Sequence, residues 1–370
     1  MIVGLVKEIK NHEYRVGLTP NDVKAYVDAG HTVLVETEAG EGSGYSNMEY
    51  LAAGAQVLNS AAEVWDKAEM IVKVKEPIEP EYKYLKKDQI LYTYLHLAAD
   101  RPLTEALLKA GTTAVAYETI TGKQGGLPCL IPMSEIAGRM AVQEGAKYLE
   151  KPFGGRGLLL SGVPGVEKAN VVIIGGGGVG TNACKIAVGM GANVTILDIS
   201  AQRLAYLDDI FGSRIQTLYS TRANILTAIE KADLVIGAVL LPGRKTPKLV
   251  LKEDLKRMKK GAVIVDVAVD QGGCIETTHA TTHQDPVFEV EGIVHYCVAN
   301  MPGAVSRTST MALTNTTLAH GLALATKGFE EAVKADECLA QGVNCYRGKC
   351  TYPGVAEALS LDYVDIHDLI

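Results

Sequence analysis

The strongest chemical signal in the chain is a glycine run placed between a strand pattern and a helix pattern. Val171-Val172-Ile173-Ile174 leads directly into Gly175, Gly176, Gly177, Gly178, Val179 and Gly180, which puts Gly175, Gly177 and Gly180 in G-x-G-x-x-G register. A helical pattern, Val179 to Gly189, follows, and a second strand pattern, Val194 to Leu197, ends on Asp198, eighteen residues past Gly180. That order of strand, glycine turn, helix, strand and acid is the setting in which the motif holds a dinucleotide. Gly175 would make the tight turn, Gly177 would let a pyrophosphate approach the backbone, and Gly180 would let helix and strand pack closely. The phosphates would sit at the positive end of the helix. Asp198 would accept hydrogen bonds from ribose hydroxyls and repel a 2′-phosphate, so the expected cofactor is NAD rather than NADP. Arg203 leaves its readings open: a partner for a 2′-phosphate, a stack on the adenine, or a solvated helix residue.

Further along, Val263-Ile264-Val265 delivers Asp266, Val267, Ala268, Val269 and Asp270 to the carboxyl end of a strand, ahead of Gln271, Gly272 and Gly273. Open α/β sheets bind ligands at such ends. Asp266 reads as a turn or cap residue and Asp270 as facing the cleft. Val298, Ala299, Asn300 and Met301 follow another strand pattern and precede a helix, a second place for backbone and an amide to meet a nicotinamide, with capping by Asn300 a compatible reading. Three more groups stand at the carboxyl ends of strand patterns in the first third of the chain: Arg15 after Val3 to Val6, Lys75 after Ile71 to Val74, and His96 after Leu91 to Leu95. Singly, each has a plain structural explanation. Together they suit a small α-keto or α-amino acid, because Arg can fork a carboxylate, Lys can hydrogen-bond a carbonyl and His can move a proton near neutral pH.

These residues need elements to carry them, and the chain supplies an alternation of short β-branched runs with amphipathic stretches. Pro20 to Ala29 reads as a helix opened by Thr19-Pro20 and closed by Gly30, and Met48 to Leu58 as an amphipathic stretch. Ala201 to Phe211, Leu251 to Lys259 and two long segments, Ser134 to Glu150 and Pro302 to Lys327, also read as helices. Such alternation predicts mostly parallel sheets covered on both faces. The expected fold is α/β, with two Rossmann-like doubly wound domains joined by the two long helices. The first domain, residues 1–128 and 306–370, is discontinuous and would hold substrate; residues 129–305 would hold NAD. Closure of the two over bound substrate is a corollary.

The 370 residues are 47% hydrophobic and 21% charged, which fits a globular chain and excludes a disordered one. With 36 Lys and Arg against 43 Asp and Glu, the net charge of −7 offers no basic face for nucleic acid. No run reaches the ~18 apolar residues of a spanning helix, and Met1 to Val6 meets Lys7-Glu8 rather than a signal-peptide core, so a cytoplasmic chain without membrane contact is expected. The seven cysteines form no C-x-x-C pair and read as reduced thiols. His279 and His283 have helical metal-ligand spacing, but in a Thr-rich stretch before Pro286 they read as solvated.

Val6-Lys7-Glu8-Ile9-Lys10, Glu13-Tyr14-Arg15-Val16, Thr19-Pro20, Val74-Lys75-Glu76-Pro77, Tyr94-Leu95-His96-Leu97, the Ile173 to Gly180 fingerprint, Asp266 to Gly273 and Val298 to Gly303 stand in an order and spacing that closely resemble the NAD-dependent L-alanine dehydrogenases over essentially the whole chain. The resemblance implies reversible oxidative deamination of L-alanine to pyruvate and ammonium. By position, Arg15 and Lys75 would hold substrate, His96 would be the general acid/base, and Asp270 would assist at the reacting carbon. Cofactor contacts would come from Ser134, Gly178, Val179, Asp198, Arg203, Ser220, Val239, Leu240, Val267 to Asp270, Asn300 and Met301. The resemblance also implies a homohexamer. Some relatives bind magnesium through a glutamate and a histidine; Glu118 is present here, but Lys327 stands at the second position, so no metal is expected. Two other readings share the motifs. The nucleotide-binding subunit of a proton-translocating transhydrogenase would turn over no amino acid, and it commonly continues toward membrane spans that this chain, ending at Ile370, lacks. An NAD-sensing module would have no use for Arg15, Lys75, His96 and Asp270 together.

Overall fold

The computed structural model describes residues 1–239, 246–269 and 272–370, which form two compact units. One unit is Met1–Met133 with Gly303–Ile370, and the other is Ser134–Pro302. The chain passes from the first to the second inside a long helix and returns just before another.

The first unit opens with strand β1 (Ile2–Leu5), helix α1 (Pro20–Asp28) and β2 (Thr32–Glu36). α1 starts where the sequence says it should: Thr19 Oγ1 accepts from Asp22 N–H, Asp22 reaches back to Thr19 N–H at 2.7 Å, and Pro20 loses no intrahelical bond in the first turn. Gly30, at φ +86°, ends it in a left-handed cap. Then come α2 (Asn47–Ala52), β3 (Gln56–Leu58), α3 (Ala61–Lys67), β4 (Met70–Val72), β5 (Ile90–Thr93), α4 (Arg101–Ala110) and β6 (Thr113–Ala116). The stretch Met48 to Leu58 is thus not one element; Gly54, at φ +95°, separates a short helix from an edge strand.

Helix α5 (Ile131–Tyr148) crosses into the second unit, which continues with β7 (Asn170–Ile174), α6 (Gly178–Gly189), β8 (Asn193–Asp198), α7 (Ala201–Phe211), β9 (Ile215–Tyr219), α8 (Arg222–Lys231), β10 (Leu234–Gly237), β11 (Val263–Asp266), β12 (Val287–Val290) and β13 (Ile293–Tyr296). Lys252–Arg257 is a 3-10 turn rather than the longer helix its lysines suggested, and β12 has only mixed polarity to mark it. The chain returns through α9 (Ser306–Lys327), preceded by a 3-10 turn at Met301–Val305, and closes with α10 (Phe329–Ala335), α11 (Glu337–Ala340), β14 (Val343–Tyr346), β15 (Lys349–Cys350) and α12 (Pro353–Leu359).

The two sheets share one plan. In the first, the order is β15-β14-β6-β5-β4-β1-β2-β3; in the second it is β12-β13-β11-β10-β7-β8-β9. Taken from the edge, each contains the 3-2-1-4-5-6 order of a doubly wound sheet, with β1 and β4, or β7 and β10, flanking the point where the winding reverses. Strands β1 to β6 pair in parallel. β14 and β15 then add an antiparallel hairpin through Arg347-Gly348, both at positive φ. Cores lie against each sheet: Val64, Trp65, Leu91, Leu103 and Leu107 in the first unit, and Val172, Ile174, Leu197, Ile229 and Ile264 in the second. Each such fully buried aliphatic contributes about 1.5–3 kcal/mol of transfer free energy. All seven cysteines are free thiols.

Candidate functional site

In the first unit, Arg15, Lys75 and His96 follow β1, β4 and β5, so all three stand at the carboxyl edge of one parallel sheet around its winding reversal. Arg15 is 3% exposed. Its Nε and Nη2 each donate to a Glu13 oxygen at 2.6 Å, and Nη1 lies 3.1 Å from Met133 Sδ. This two-point pair fixes the plane of the guanidinium and raises its already high pKa, overcoming the opposing effect of burial. The Lys75 ammonium has no hydrogen-bond or ion-pair partner among the described residues. Burial lowers its pKa from the ordinary lysine value, with Arg15 and Lys10 adding repulsion and Glu76 and Glu13 opposing.

His96 adopts a left-handed backbone conformation, φ 51° and ψ 37°. A non-glycine residue held there stores of order 1 kcal/mol and persists only where its surroundings fix it. What fixes it is Glu118, whose carboxylate accepts the backbone N–H groups of Leu95 at 3.2 Å and His96 at 2.6 Å. The same carboxylate lies 3.9 Å from His96 Nδ1. The imidazole stacks on Tyr94, ring centroids 5.9 Å apart and nearly parallel. Tyr94 in turn is pinned by its hydroxyl, which donates to Cys129 O at 2.5 Å. The His96 side chain is 46% exposed, so it is open to exchange protons rather than satisfied in a core. The roles of Glu13, Tyr94 and Glu118 were not read from the sequence. Glu13 had a signal, since two residues before Arg15 in an extended segment share a face.

The second unit carries the glycine turn and the acid that the sequence assigns to a dinucleotide. Gly175 is at φ +104°, and a Cβ there would lie 2.7 Å from Ala238 O. At Gly180 a Cβ would lie 1.8 Å from Gly175 O, so only glycine lets α6 pack on the turn. Among the described residues nothing lies within 4 Å of a Cβ added at Gly177, which leaves its backbone open to a ligand. α6 begins at Gly178 with no side-chain cap on its first amides. Asp198, at the tip of β8, accepts Gly176 N–H at 2.7 Å through Oδ2 and Ser200 N–H at 2.8 Å through Oδ1. A carboxylate has about four lone-pair sites, so acceptor capacity remains for a ribose. Arg203 does not extend into solvent; Nε donates to Gly176 O, Nη2 donates to Thr181 Oγ1 at 2.6 Å, and the guanidinium lies 4.7 Å over the Tyr206 ring.

The remaining cofactor candidates among the described residues lie near the glycine turn or follow neighbouring strands. Ser134 Cβ is 3.9 Å from an added Cβ at Gly178, and Val179 O faces Gly138 of α5, whose added Cβ would lie 2.2 Å away. Val239 packs at Gly175, and Ser220 N–H bonds Asp198 O at 2.9 Å. Val267 N–H bonds Gly237 O at 2.9 Å, with Ala268 and Val269 buried behind it. Asp266 is fully buried and accepts from Ala268 N–H, Ile275 N–H and Thr278 Oγ1–H, at 3.1, 3.2 and 2.7 Å. It therefore caps the turn, as its sequence position suggested. Val298 and Met301 are buried; Ala299 is exposed, and Asn300 O lies 2.7 Å from His283 Nε2. His279 and His283 lie in irregular chain, so the helical spacing between them is not realised. His279 instead stacks on Phe288 at 4.0 Å, and His283 is half-buried rather than solvated. Leu240 and Asp270 lie outside the described residues. No cluster of three metal-ligating side chains occurs among the described residues.

Residues 4–137 match the family model described as alanine dehydrogenase/PNT, N-terminal domain, and residues 141–353 match its C-terminal counterpart. The chain belongs to the alanine dehydrogenase/PNT family. Among its relatives, an alanine dehydrogenase of Methanococcus maripaludis is 58% identical over 364 residues, 98% of each chain. One of Staphylococcus haemolyticus is 54% identical over 371 residues, covering 100% of this chain and 99% of its own. A solved structure of an L-alanine dehydrogenase superposes with a TM-score of 0.95 at 54% identity, covering 97% of this chain and 99% of that one. A transhydrogenase from Sinorhizobium meliloti gives a TM-score of 0.82 at 26% identity, covering 95% of this chain and 99% of that one. Both kinds of family member thus share this two-sheet plan. Among the described residues no helix is long and apolar enough to cross a membrane.

Proposed function

We propose that this chain is an NAD-dependent L-alanine dehydrogenase, catalysing L-alanine + NAD⁺ + H₂O ⇌ pyruvate + NH₄⁺ + NADH + H⁺. The observation that carries the reading is the convergence of Arg15, Lys75 and His96 at one sheet edge, in a chain more than half identical to alanine dehydrogenases over its full length. The first unit is the substrate domain and the second the NAD domain.

Arg15, always charged and held flat by Glu13, grips the substrate carboxylate. Lys75 hydrogen-bonds the carbonyl oxygen of pyruvate and the oxygen that water contributes during deamination. His96 takes a proton from the substrate ammonium and releases it to solvent, which is the H⁺ of the overall equation; it then takes a proton from the attacking water and passes it to the departing ammonia. Glu118 steadies the turn that carries the imidazole and lies on the Nδ1 side. Asp270 assists at the carbon that gains and loses nitrogen. Gly175 to Gly180 would hold NAD, with Asp198 accepting from its ribose hydroxyls, and the bound cofactor would supply a hydride acceptor for the α-carbon. Ser134, Gly178, Val179, Arg203, Ser220, Val239, Leu240, Val267 to Asp270 and Val298 to Met301 complete its contacts. The open space at Gly177, the uncapped α6 terminus and the acceptor capacity left on Asp198 support that fit. The chain works without a resident metal, in the cytoplasm, as a homohexamer, and light scattering of the purified protein tests the assembly.

The test of the reaction is product identification. Pyruvate, ammonium and NADH incubated with purified protein should give alanine in amounts equal to the NADH consumed. The transhydrogenase-like reading, favoured by the shared fold, predicts NADH binding with no alanine formed.

A further inference from the structure

Behind Lys75 lies a buried charged trio that the mechanism does not use. Lys73 has no exposed side-chain surface, and its ammonium donates to Glu8 Oε2 at 3.1 Å and to Glu81 Oε1 at 2.9 Å. Glu8 has a second set of partners: its Oε1 accepts the backbone N–H of Val74 at 2.6 Å and that of Lys75 at 3.2 Å. Glu81 Oε2 accepts Ile78 N–H at 3.0 Å, and Tyr117 donates to Lys73 O at 3.0 Å. Among the described residues every hydrogen-bond partner of Glu8 is a donor, an arrangement that suits the ionised carboxylate even though burial, with Glu13 and Glu81 nearby, raises its pKa.

Stability alone does not call for such a group, because buried ion clusters can often be replaced by apolar side chains at no net loss. What the trio does is join two chain segments. Glu8 lies between β1 and Arg15, while Val74 and Lys75 follow β4 on the other side of the winding reversal. Arg15 is itself locked by Glu13 within the same segment as Glu8. The backbone of one substrate-binding residue is therefore tied directly to the segment that carries the other.

We propose that Glu8 is a positioning residue for the substrate: its carboxylate, by holding the Val74 and Lys75 amides, sets where Lys75 stands relative to Arg15. The inference rests on the alanine dehydrogenase reading, in which those two side chains grip the substrate. Displacement of a gripping group by even an ångström costs binding and rate without touching the chemistry itself.

Three variants of the full chain test it, each assayed for pyruvate KM, kcat, NADH binding by fluorescence, and Tm. Glu8→Met removes the acceptor of both backbone amides and should raise pyruvate KM about ten-fold or more with NADH binding unchanged. Glu8→Gln keeps an acceptor for the two amides and should restore KM to within about three-fold of the unsubstituted protein. Glu81→Gln weakens the trio without touching those amides, so Tm should fall while KM stays put. If Glu8→Met yields no folded protein, Glu8→Asp replaces it, since it keeps the charge but draws the carboxylate back from the amides; its KM should rise. An unchanged KM in Glu8→Met or Glu8→Asp overturns the proposal, as does an equal KM rise in Glu81→Gln, which would mark general loosening. Absence of alanine turnover in the unsubstituted protein would instead overturn the functional reading, and this inference with it.

Discussion

His96 combines three features that seldom meet by accident: a strained left-handed backbone, a carboxylate holding its amide, and an exposed imidazole stacked on a pinned tyrosine. His96→Ala should therefore lower kcat by about 10²–10⁴-fold while NADH titration stays unchanged; near-normal turnover would remove the histidine from the mechanism. Lys75 yields a pH prediction. Its pKa is depressed, so the ammonium proposed to bind the carbonyl is lost, as pH rises, below the ordinary lysine range. Pyruvate KM should climb through that window, and Lys75→Arg, which stays charged, should flatten the climb at the cost of geometry. The strand-end position of each of these side chains was legible from the sequence, because parallel sheets gather their carboxyl ends. Their partners were less so: Glu13, two residues before Arg15, had an alternation signal, whereas Glu118 and Tyr94 act through a backbone turn and ring stacking that leave no periodic trace.

The glycine turn and α6 were the most legible elements, since each glycine answers a separate steric demand. Gly180→Ala would force a Cβ to within 1.8 Å of Gly175 O. We expect it to cost about 3 kcal/mol or more in urea unfolding and to abolish NADH binding. The segment after β11 depends on Asp266, which collects two backbone amides and a hydroxyl in full burial. Asp266→Ala orphans those donors and should cost about 3 kcal/mol, read by the same unfolding experiment, with weakened NADH affinity because Val267 to Val269 lose their anchor. Helix ends marked by Thr19-Pro20 and Gly30 were also legible. Met48 to Leu58 was not, since a glycine in mid-stretch breaks a pattern that periodicity alone reads as continuous. β12 is an edge strand with one face in solvent, and the Lys252–Arg257 turn is too short for a helical period to declare itself.

The same strand order occurs twice, so the molecule repeats one solution: a winding reversal opens a crevice, and loops at the carboxyl edge furnish it with different chemistry. One copy carries forked and point cations with an imidazole; the other carries glycines, an N-terminal helix end and a strand-tip carboxylate. The division of labour proposed for the two units was drawn from the sequence because the two sets of side chains suit different ligands. The return of residues 303–370 to the first unit could be expected only from their being too few for a third core. The proposed reaction needs both a substrate grip and a bound NAD, and one assay tests it: NADH absorbance with purified protein, NAD and L-alanine at alkaline pH, then pyruvate, ammonium and NADH near neutrality, with NADP in parallel. Turnover in both directions with NAD, and far less with NADP, is the predicted result. Fluorescence-detected NADH binding without turnover in either direction would contradict it.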